Sequence, residues 1–203
     1  MLYISENSDK LGKEFLSASM KYMSLQRIRK TDSLRVLSDK VNSAAVYLML
    51  LYALKREYGI YEPVEFIYGK YGKPYLKEHP DIFFNLSHCR NSCVCILSDK
   101  ETAVDIADIR KINMRTAKYF CSEEEYKAAE LLDDPNEMLV SLWSKKECCS
   151  KLDGRGMSLI FRNITGDCFD GIRQYKGDRY YCSYYAENDL SPVMLNSKDL
   201  LDI

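Results

Sequence analysis

The residues best suited to chemistry lie close together around position 147. Glu147 and Lys151 are four positions apart, and Trp143 lies four positions before Glu147. On a helix this spacing places all three side chains on one face. A carboxylate there can accept a proton while a neighbouring ammonium group stabilises developing negative charge. The alternative is an ordinary surface ion pair, which contributes about 0.3–0.5 kcal/mol to stability.

A second carboxylate, Asp105, follows the apolar residues Ala103 and Val104 at the end of a predicted strand. An aspartate in this position is commonly a turn residue that ends the strand. Together with Glu147 from a later helix, however, it supplies a pair of hard oxygen ligands of the kind that Mg²⁺ prefers. These two residues are therefore the candidate metal ligands.

Four sequence blocks together resemble a known family. In order along the chain they are Gly72-Lys73-Pro74, Phe84-Asn85-Leu86-Ser87-His88, Ala103-Val104-Asp105-Ile106, and the segment from Trp143 to Lys151. In this order and spacing, the chain resembles the 4′-phosphopantetheinyl transferases of the Sfp type. The resemblance implies transfer of the 4′-phosphopantetheine group from coenzyme A to a serine hydroxyl of an acyl or peptidyl carrier protein. It also implies release of 3′,5′-ADP and dependence on Mg²⁺, for which Mn²⁺ can substitute.

The resemblance assigns roles to individual residues. The catalytic residues would be Glu147, Lys151 and His88, with Glu147 accepting the serine proton, and the metal ligands would be Asp105 and Glu147. Arg35 would contact the 3′-phosphate of coenzyme A. The full set implied to bind coenzyme A is Lys21, Arg35, Lys73, Ser87, His88 and Lys151.

The chain departs from the family pattern two positions after Asp105. The family has a second acid there, whereas this chain has Ala107. Asp108 is close in sequence, but residues 105 and 107 share one face of a strand and residue 108 points to the other. We therefore expect two protein carboxylates at the metal, with a water in place of the third.

The basic segment from Ile109 to Phe120 also contains apolar side chains. Most such segments are amphipathic surface helices. The family, however, docks its carrier protein near this position, and basic residues around a methionine suit an acidic carrier. The expected docking residues are Arg110, Met114, Arg115 and Lys118.

Two other functions stay open. Ala107 is compatible with a degenerate protein that binds coenzyme A or a carrier protein without transferring anything. The other is a thiol-dependent enzyme that uses Cys89 or Cys148 with His88, although neighbours such as residues 88 and 89 point to opposite faces of a strand.

Composition narrows the partners and the compartment. The 203 residues are 46% hydrophobic and 29% charged, with a net charge of −1, which gives no overall field favouring nucleic acid or a membrane surface. No apolar run approaches the roughly 18 residues of a membrane span. The N-terminus becomes polar at Ser5 without the pattern of a signal peptide. We therefore expect a cytoplasmic protein whose eight cysteines stay reduced.

The elements that must position these residues are helices and short strands. Apolar periodicity predicts helices at 33–58, 112–120, 122–132 and 136–153, the first of which is stopped by Gly59. Strands are predicted at 2–4, 64–68, 83–84, 93–97 and 102–106. The tail from Leu159 onward, rich in tyrosine and β-branched residues, predicts two or three antiparallel strands.

These elements and the resemblance indicate an α+β fold. The resemblance implies two similar lobes related by a pseudo-twofold axis, each a small, mostly antiparallel sheet packed on a long helix. Residues 1–101 would bind the coenzyme A phosphates. Residues 102–203 would carry the metal, the catalytic residues and the carrier-docking surface. Such a chain is a pseudo-dimer in itself, and we expect a monomer.

Overall fold

The computed structural model describes residues 1–155 and 161–203, so the predicted start of the tail at Leu159 lies outside the described residues. The strands are β1 Leu2–Glu6, β2 Phe66–Tyr68, β3 Pro74–Leu76, β4 Phe83–His88, β5 Ser92–Ser98, β6 Ala103–Asp108, β7 Ile172–Lys176, β8 Tyr180–Tyr185 and β9 Val193–Leu195. The helices are α1 Lys13–Ser19, α2 Leu25–Asp32, α3 Leu37–Tyr58, α4 Met114–Phe120, α5 Glu123–Glu130 and α6 Asn136–Asp153.

The strands form two larger sheets and one hairpin. The first sheet has the order β4-β5-β1-β9, the second has the order β6-β8-β7, and β2 pairs with β3. Neighbouring strands are antiparallel, except that β9 runs parallel to β1, with Tyr3 opposite Val193. The antiparallel tail strands are thus β7 and β8, while β9 returns to the first sheet.

The first sheet is buried on both faces, and its residues alternate between two cores. Tyr3, Cys93 and Cys95 pack with α3 in one hydrophobic cluster. The residues between them in β1 and β5 face the second sheet. That second cluster contains Leu2, Ile4, Val94, Ile96, Val104, Ile106, Tyr180, Cys182 and Tyr184. Because successive strand residues point to opposite faces, the residues of β1 and β5 contribute alternately to the two cores.

Helix α3 is the main support of the first sheet. It is buried almost continuously from Val41 to Leu54, as expected for a helix that is apolar on most of its surface. It ends at Gly59, which takes the left-handed conformation with φ 66°. Its start at Leu37 is later than predicted, since Val36 is extended.

Helix α6 supports the second sheet in the same way. It contacts β6 and β8, and the Ser144 hydroxyl donates to the backbone oxygen of Asp105 at 3.3 Å. The helix ends at Gly154, which is also left-handed with φ 80°. Helix α6 therefore holds residues 143–151 against the strand that carries Asp105.

The mixture of helices and sheets confirms the predicted α+β class. The pseudo-twofold relation and the division into residues 1–101 and 102–203 stay predictions. In the part of the chain that the structure describes, none of the helices combines the length and apolarity that a bilayer crossing requires.

Candidate active site

Asp105 lies on β6, opposite Ser183 of β8, and its side chain is buried. Its Oδ1 atom accepts two hydrogen bonds, from the Ser87 hydroxyl at 2.9 Å and from Lys151 Nζ at 2.8 Å. Lys151 Nζ also donates to the backbone oxygen of Val104 at 3.1 Å. Three predicted site residues from β4, β6 and α6 therefore meet at one carboxylate.

Glu147 lies one turn before Lys151 on α6 and lines the same cleft as Asp105. Burial raises the pKa of Glu147 above its ordinary value, the Asp105 carboxylate raises it further, and Lys151 opposes both effects. The negative charges of Asp105 and Glu147 are thus both opposed by the ammonium group of Lys151. Two neighbouring carboxylates of this kind can accommodate an added cation.

A divalent metal is the cation that fits this donor set. Asp105 and Glu147 offer hard carboxylate oxygens, and partial burial of Glu147 disfavours its charge in the absence of a cation. Within residues 1–155 and 161–203, no cluster of three or more His, Cys, Asp or Glu side chains is arranged to hold a metal. Ala107, which stands at the position of the family's additional acid, lines the cleft. The remaining ligands would therefore come from water or from a bound phosphate.

His88 ends β4 and lines the cleft with its ring partly exposed. Burial lowers the pKa of His88, and Lys151 lowers it further. Arg27 acts in the same direction, while Asp39 and Asp105 oppose it. His88 therefore lies within electrostatic reach of basic groups from both halves of the chain.

Arg27 was not among the residues selected from the sequence. Its Nη2 atom donates to the backbone oxygen of Ser43 at 2.5 Å and to the Ser43 hydroxyl at 2.8 Å, and its guanidinium group lies 5.4 Å from the ring centre of Tyr47. Its Nε atom is buried and has no hydrogen-bond partner among the residues that the structure describes. Burial lowers the pKa of Arg27. The only sequence signal was its place in the basic segment 21–40.

The other predicted phosphate-binding residues lie in different places. Lys73 is largely buried, with its Nζ atom 2.7 Å from Glu101 Oε2, and its aliphatic chain passes close to Gly154 at the end of α6. Lys21 is exposed, and its Nζ atom lies 4.6 Å from the ring centre of Tyr22. Arg35 is exposed between α2 and α3. Lys73 therefore joins the end of the helix that carries Lys151, whereas the structure gives Lys21 and Arg35 no contact with the Asp105 group among the described residues.

The cleft beside Asp105 and Glu147 has a volume of about 680 Å³. Its lining combines His88, three carboxylates and the basic residues Arg110 and Lys111 with apolar side chains. The carboxylates are those of Asp105, Asp108 and Glu147, and the apolar residues include Ile106, Ile112, Phe120, Val140 and Trp143. The cleft can therefore contact both charged and less polar parts of a ligand.

Helix α4 forms the predicted docking surface. Arg115 is exposed, as is Arg110 just before the helix, while Lys118 places its Nζ atom 5.3 Å from the ring centre of Tyr126. Met114 instead packs against the core cluster that contains Phe120. The basic residues are available to a partner, whereas Met114 anchors the helix.

Lys146 is a structural residue that the sequence did not reveal. It is fully buried beside Glu147, and its Nζ atom donates to Glu125 Oε2 at 2.6 Å, to the Phe120 backbone oxygen at 2.7 Å and to the Phe161 backbone oxygen at 3.1 Å. All three ammonium protons are thus used, as a buried lysine requires. Lys146 connects α6 to the end of α4 and the start of α5.

The candidate thiols are poorly suited to nucleophilic catalysis. Burial and Asp108 raise the pKa of Cys89, whose Sγ atom donates weakly to the Ser92 backbone oxygen at 3.6 Å. Burial raises the pKa of Cys148 well above its ordinary value. Both sulfurs stay protonated at neutral pH, and a thiol is a weaker nucleophile than a thiolate.

Asp108 lines the same cleft as Asp105, but its carboxylate bonds to the turn between β4 and β5. Its Oδ2 atom accepts from the Arg90 backbone nitrogen at 2.7 Å, and its Oδ1 atom accepts from Asn91 Nδ2 at 3.0 Å. These bonds hold the turn between β4 and β5. Asp108 therefore has a structural task of its own.

Comparison with known proteins identifies related sequences. Residues 101–190 match the family model of the 4′-phosphopantetheinyl transferase superfamily, a range that includes Asp105, Glu147 and Lys151. The chain is 34% identical over 98 residues to the 4′-phosphopantetheinyl transferase Sfp of Bacillus subtilis (strain 168), covering 47% of this chain and 44% of that protein. It is 28% identical over 162 residues to the 4′-phosphopantetheinyl transferase psf-1 of Bacillus pumilus, covering 77% and 69%.

A third relative is the 4′-phosphopantetheinyl transferase gsp of Aneurinibacillus migulanus, 33% identical over 143 residues, covering 70% of this chain and 56% of that protein. The chain spans about half the length of the Bacillus subtilis relatives that it matches, 44% of one and 51% of another. These matches confirm the resemblance that the four sequence blocks predict.

Proposed function

From this similarity to the Sfp-type 4′-phosphopantetheinyl transferases, we propose that the protein transfers 4′-phosphopantetheine from coenzyme A to a serine hydroxyl of an acyl or peptidyl carrier protein. The serine oxygen forms a bond to the β-phosphorus, the pyrophosphate bond breaks, and 3′,5′-ADP leaves. This is the reaction of a holo-[acyl-carrier-protein] synthase. The observation that carries the proposal is the cleft lined by Asp105, Glu147 and His88, whose Asp105 carboxylate accepts a hydrogen bond from Lys151.

Coenzyme A would bind with its phosphates near His88 and Lys151. Lys73 would add a point charge at the end of α6, and the basic segment 21–40 would hold the 3′-phosphate. Arg27 supports this placement because it lies within electrostatic reach of His88, and its buried Nε atom has no hydrogen-bond partner in the described part of the chain. Arg35 and Lys21 would take part from the exposed side of the same segment.

Glu147 would accept the proton of the attacking serine. Burial raises the pKa of Glu147 in the metal-free protein, and a carboxylate is a suitable general base for a hydroxyl proton. Its position on α6 fixes it relative to Asp105, since Ser144 holds the same helix to β6. A carboxylate fixed in this way can receive the proton as the oxygen attacks.

Lys151 and His88 would stabilise the negative charge that develops on the phosphate oxygens and on the departing 3′,5′-ADP. Phosphoryl transfer depends mainly on positioning and charge neutralisation, so few protein groups are needed. Lys151 is well placed because its Nζ atom is already fixed by Asp105 and by the Val104 backbone oxygen.

Asp105 and Glu147 would hold Mg²⁺, or Mn²⁺ in its place. The metal, when bound, supplies positive charge that neutralises the pyrophosphate of coenzyme A. With Ala107 in place of an acid, the protein contributes two carboxylates to that site.

The carrier protein would dock at α4 and the basic residues that precede it. Carrier proteins are acidic, and Arg110, Arg115 and Lys118 supply complementary charge. Met114 would support the helix from the core side.

We propose that the protein acts as a monomer in the cytoplasm, and the presence of all eight cysteines as free thiols supports a reducing compartment.

A degenerate binder without transferase activity is the second candidate, and Ala107 favours it. The raised pKa values of Cys89 and Cys148 disfavour the thiol-dependent enzyme. The test is incubation of the protein with coenzyme A, Mg²⁺ and a panel of apo-carrier proteins, followed by mass spectrometry of the carrier. A gain of one phosphopantetheine on one or more carriers supports the transferase, whereas binding without any mass gain supports the binder.

A further inference from the structure

Ser87 and Asp105 come from different sheets and meet in a buried contact. The Ser87 hydroxyl donates to Asp105 Oδ1 at 2.9 Å, and both side chains are buried. Two positions earlier on the same strand face, Asn85 Oδ1 accepts a hydrogen bond from the Val104 backbone nitrogen at 3.2 Å. Strand β4 therefore contacts β6 through two polar side chains, one for the backbone before Asp105 and one for its carboxylate.

The single proton of the Ser87 hydroxyl determines what this residue can do. A serine hydroxyl donates one hydrogen bond, and here that bond goes to Asp105. While this contact persists, Ser87 has no proton to offer a phosphate oxygen. The role of phosphate ligand expected from the sequence therefore competes with the contact that the structure contains.

Both donors to the Asp105 carboxylate act on the same oxygen. Ser87 and Lys151 both bond to Oδ1, and none of the backbone and side-chain groups that the structure describes donates a hydrogen bond to Oδ2. Fixing one oxygen sets the plane and direction of the carboxylate. The other oxygen is then free to act as a ligand with a defined orientation.

We propose that Ser87 is a positioning residue that fixes Oδ1 of Asp105 and thereby presents Oδ2 to the divalent cation. This inference rests on the proposed function, because it concerns the same metal site. Residues that orient metal ligands through hydrogen bonds typically change metal affinity by roughly 10- to 100-fold when removed. Ser87 would act on metal affinity through Asp105 and would leave metal-free binding of coenzyme A intact.

The experiment is a titration of the full chain with Mn²⁺ alone, following free Mn²⁺ by electron paramagnetic resonance. We expect Ser87→Ala to bind Mn²⁺ roughly 10- to 100-fold more weakly than wild type. Ser87→Thr, which keeps the hydroxyl, should recover most of the affinity. In EDTA, calorimetry should give the same coenzyme A affinity for Ser87→Ala and wild type.

Ser183→Ala is the matched control. Ser183 is buried opposite Asp105 in the β6–β8 register, but its hydroxyl accepts from Gln174 Nε2 at 2.9 Å. Its loss should leave Mn²⁺ affinity near that of wild type, and thermal melting verifies that each variant is folded.

Two results would overturn the inference while the proposed function stands. One is unchanged Mn²⁺ affinity in Ser87→Ala, and the other is a loss of coenzyme A affinity in EDTA, which would make Ser87 a phosphate ligand. In either case wild-type protein still labels a carrier. If wild type binds no Mn²⁺ and labels no carrier, the proposed function and this inference both fail.

Discussion

Lys151 Nζ lies 2.8 Å from Asp105 Oδ1, so the ammonium group of α6 contacts a carboxylate of β6 that lines the cleft. The pair is partly buried, and the Ser87 hydroxyl donates a second hydrogen bond to the same oxygen. Glu147, one turn away, adds a second negative charge to this group.

Lys151→Ala should lower turnover more than it weakens coenzyme A binding. The charge that Lys151 meets grows in the transition state, and removing one such donor typically costs about 10²–10³-fold in rate. Steady-state kinetics with a carrier protein and calorimetry with coenzyme A measure the two effects. Lys145→Ala on the same helix is the control. The Nζ atom of Lys145 lies 6.0 Å from the Phe169 ring centre, so this lysine contacts a different part of the protein from Lys151. An effect of Lys151→Ala confined to KM would instead make Lys151 a ground-state phosphate clamp.

Arg27→Gln and Arg35→Ala should each weaken coenzyme A more than dephospho-coenzyme A. Both residues are proposed to face the 3′-phosphate, and loss of a charged hydrogen bond costs roughly tenfold or more in affinity. The effect should be larger for Arg27, which is partly buried and whose Nε atom has no hydrogen-bond partner among the described residues. Calorimetry with the two ligands gives the ratio within each variant, so any change in stability cancels. An equal loss of affinity for both ligands would show that the arginine does not contact the 3′-phosphate.

Coenzyme A affinity should depend on pH through His88. Burial and Lys151 lower the pKa of the free histidine below its ordinary value of 6.5, and a bound phosphate would raise it. Binding then takes up a proton. The extra affinity is fully present below the pKa of the free state and is lost as pH rises through the pKa of the complex.

Calorimetry across this range, in buffers of different ionisation enthalpy, measures that proton uptake. The phosphate monoester itself titrates near pH 6, so the informative quantity is the difference between wild type and His88→Gln. Identical proton uptake by the two proteins would show that His88 does not meet the phosphates.

Charge reversal on α4 should slow carrier docking. Arg115→Glu or Lys118→Glu places negative charge opposite an acidic partner, so kcat/KM for the carrier should fall while coenzyme A affinity stays unchanged. The wild-type rate should also fall as salt is added. Lys13→Glu on α1, which is also exposed, is the matched control. Salt-insensitive transfer together with normal kinetics in both α4 variants would move the docking surface elsewhere.

Local sequence signals predicted the supporting elements well. Apolar periodicity and the glycine stop located α3, and apolar periodicity also predicted α5 and α6 as separate helices. Those signals act within a few residues of the structure that they specify. The parallel return of β9 to β1 was not predictable in this way, because it joins residues that are 190 positions apart, such as Tyr3 and Val193.

The contacts of the site also fall into two groups, those that local spacing predicts and those that depend on tertiary packing. The face shared by Glu147 and Lys151 follows from helical spacing alone, and the structure adds that Asp105 meets that face. The contact of Ser87 with Asp105 and the burial of Arg27 and Lys146 depend on tertiary packing. A basic or polar residue in an otherwise ordinary segment gives no signal of that burial in the sequence.

The central claim is tested most directly by the mass of an apo-carrier protein after incubation with coenzyme A and Mg²⁺, using wild type and Glu147→Gln. Glu147→Gln keeps the size of the side chain but removes the negative charge and the candidate base, and loss of a general base typically costs about 10²–10⁴-fold. We predict a gain of one phosphopantetheine with wild type, and transfer slowed at least 10²-fold by a folded Glu147→Gln protein. Near-wild-type transfer by that variant would contradict the mechanism, and no mass gain with wild type on any carrier would contradict the function.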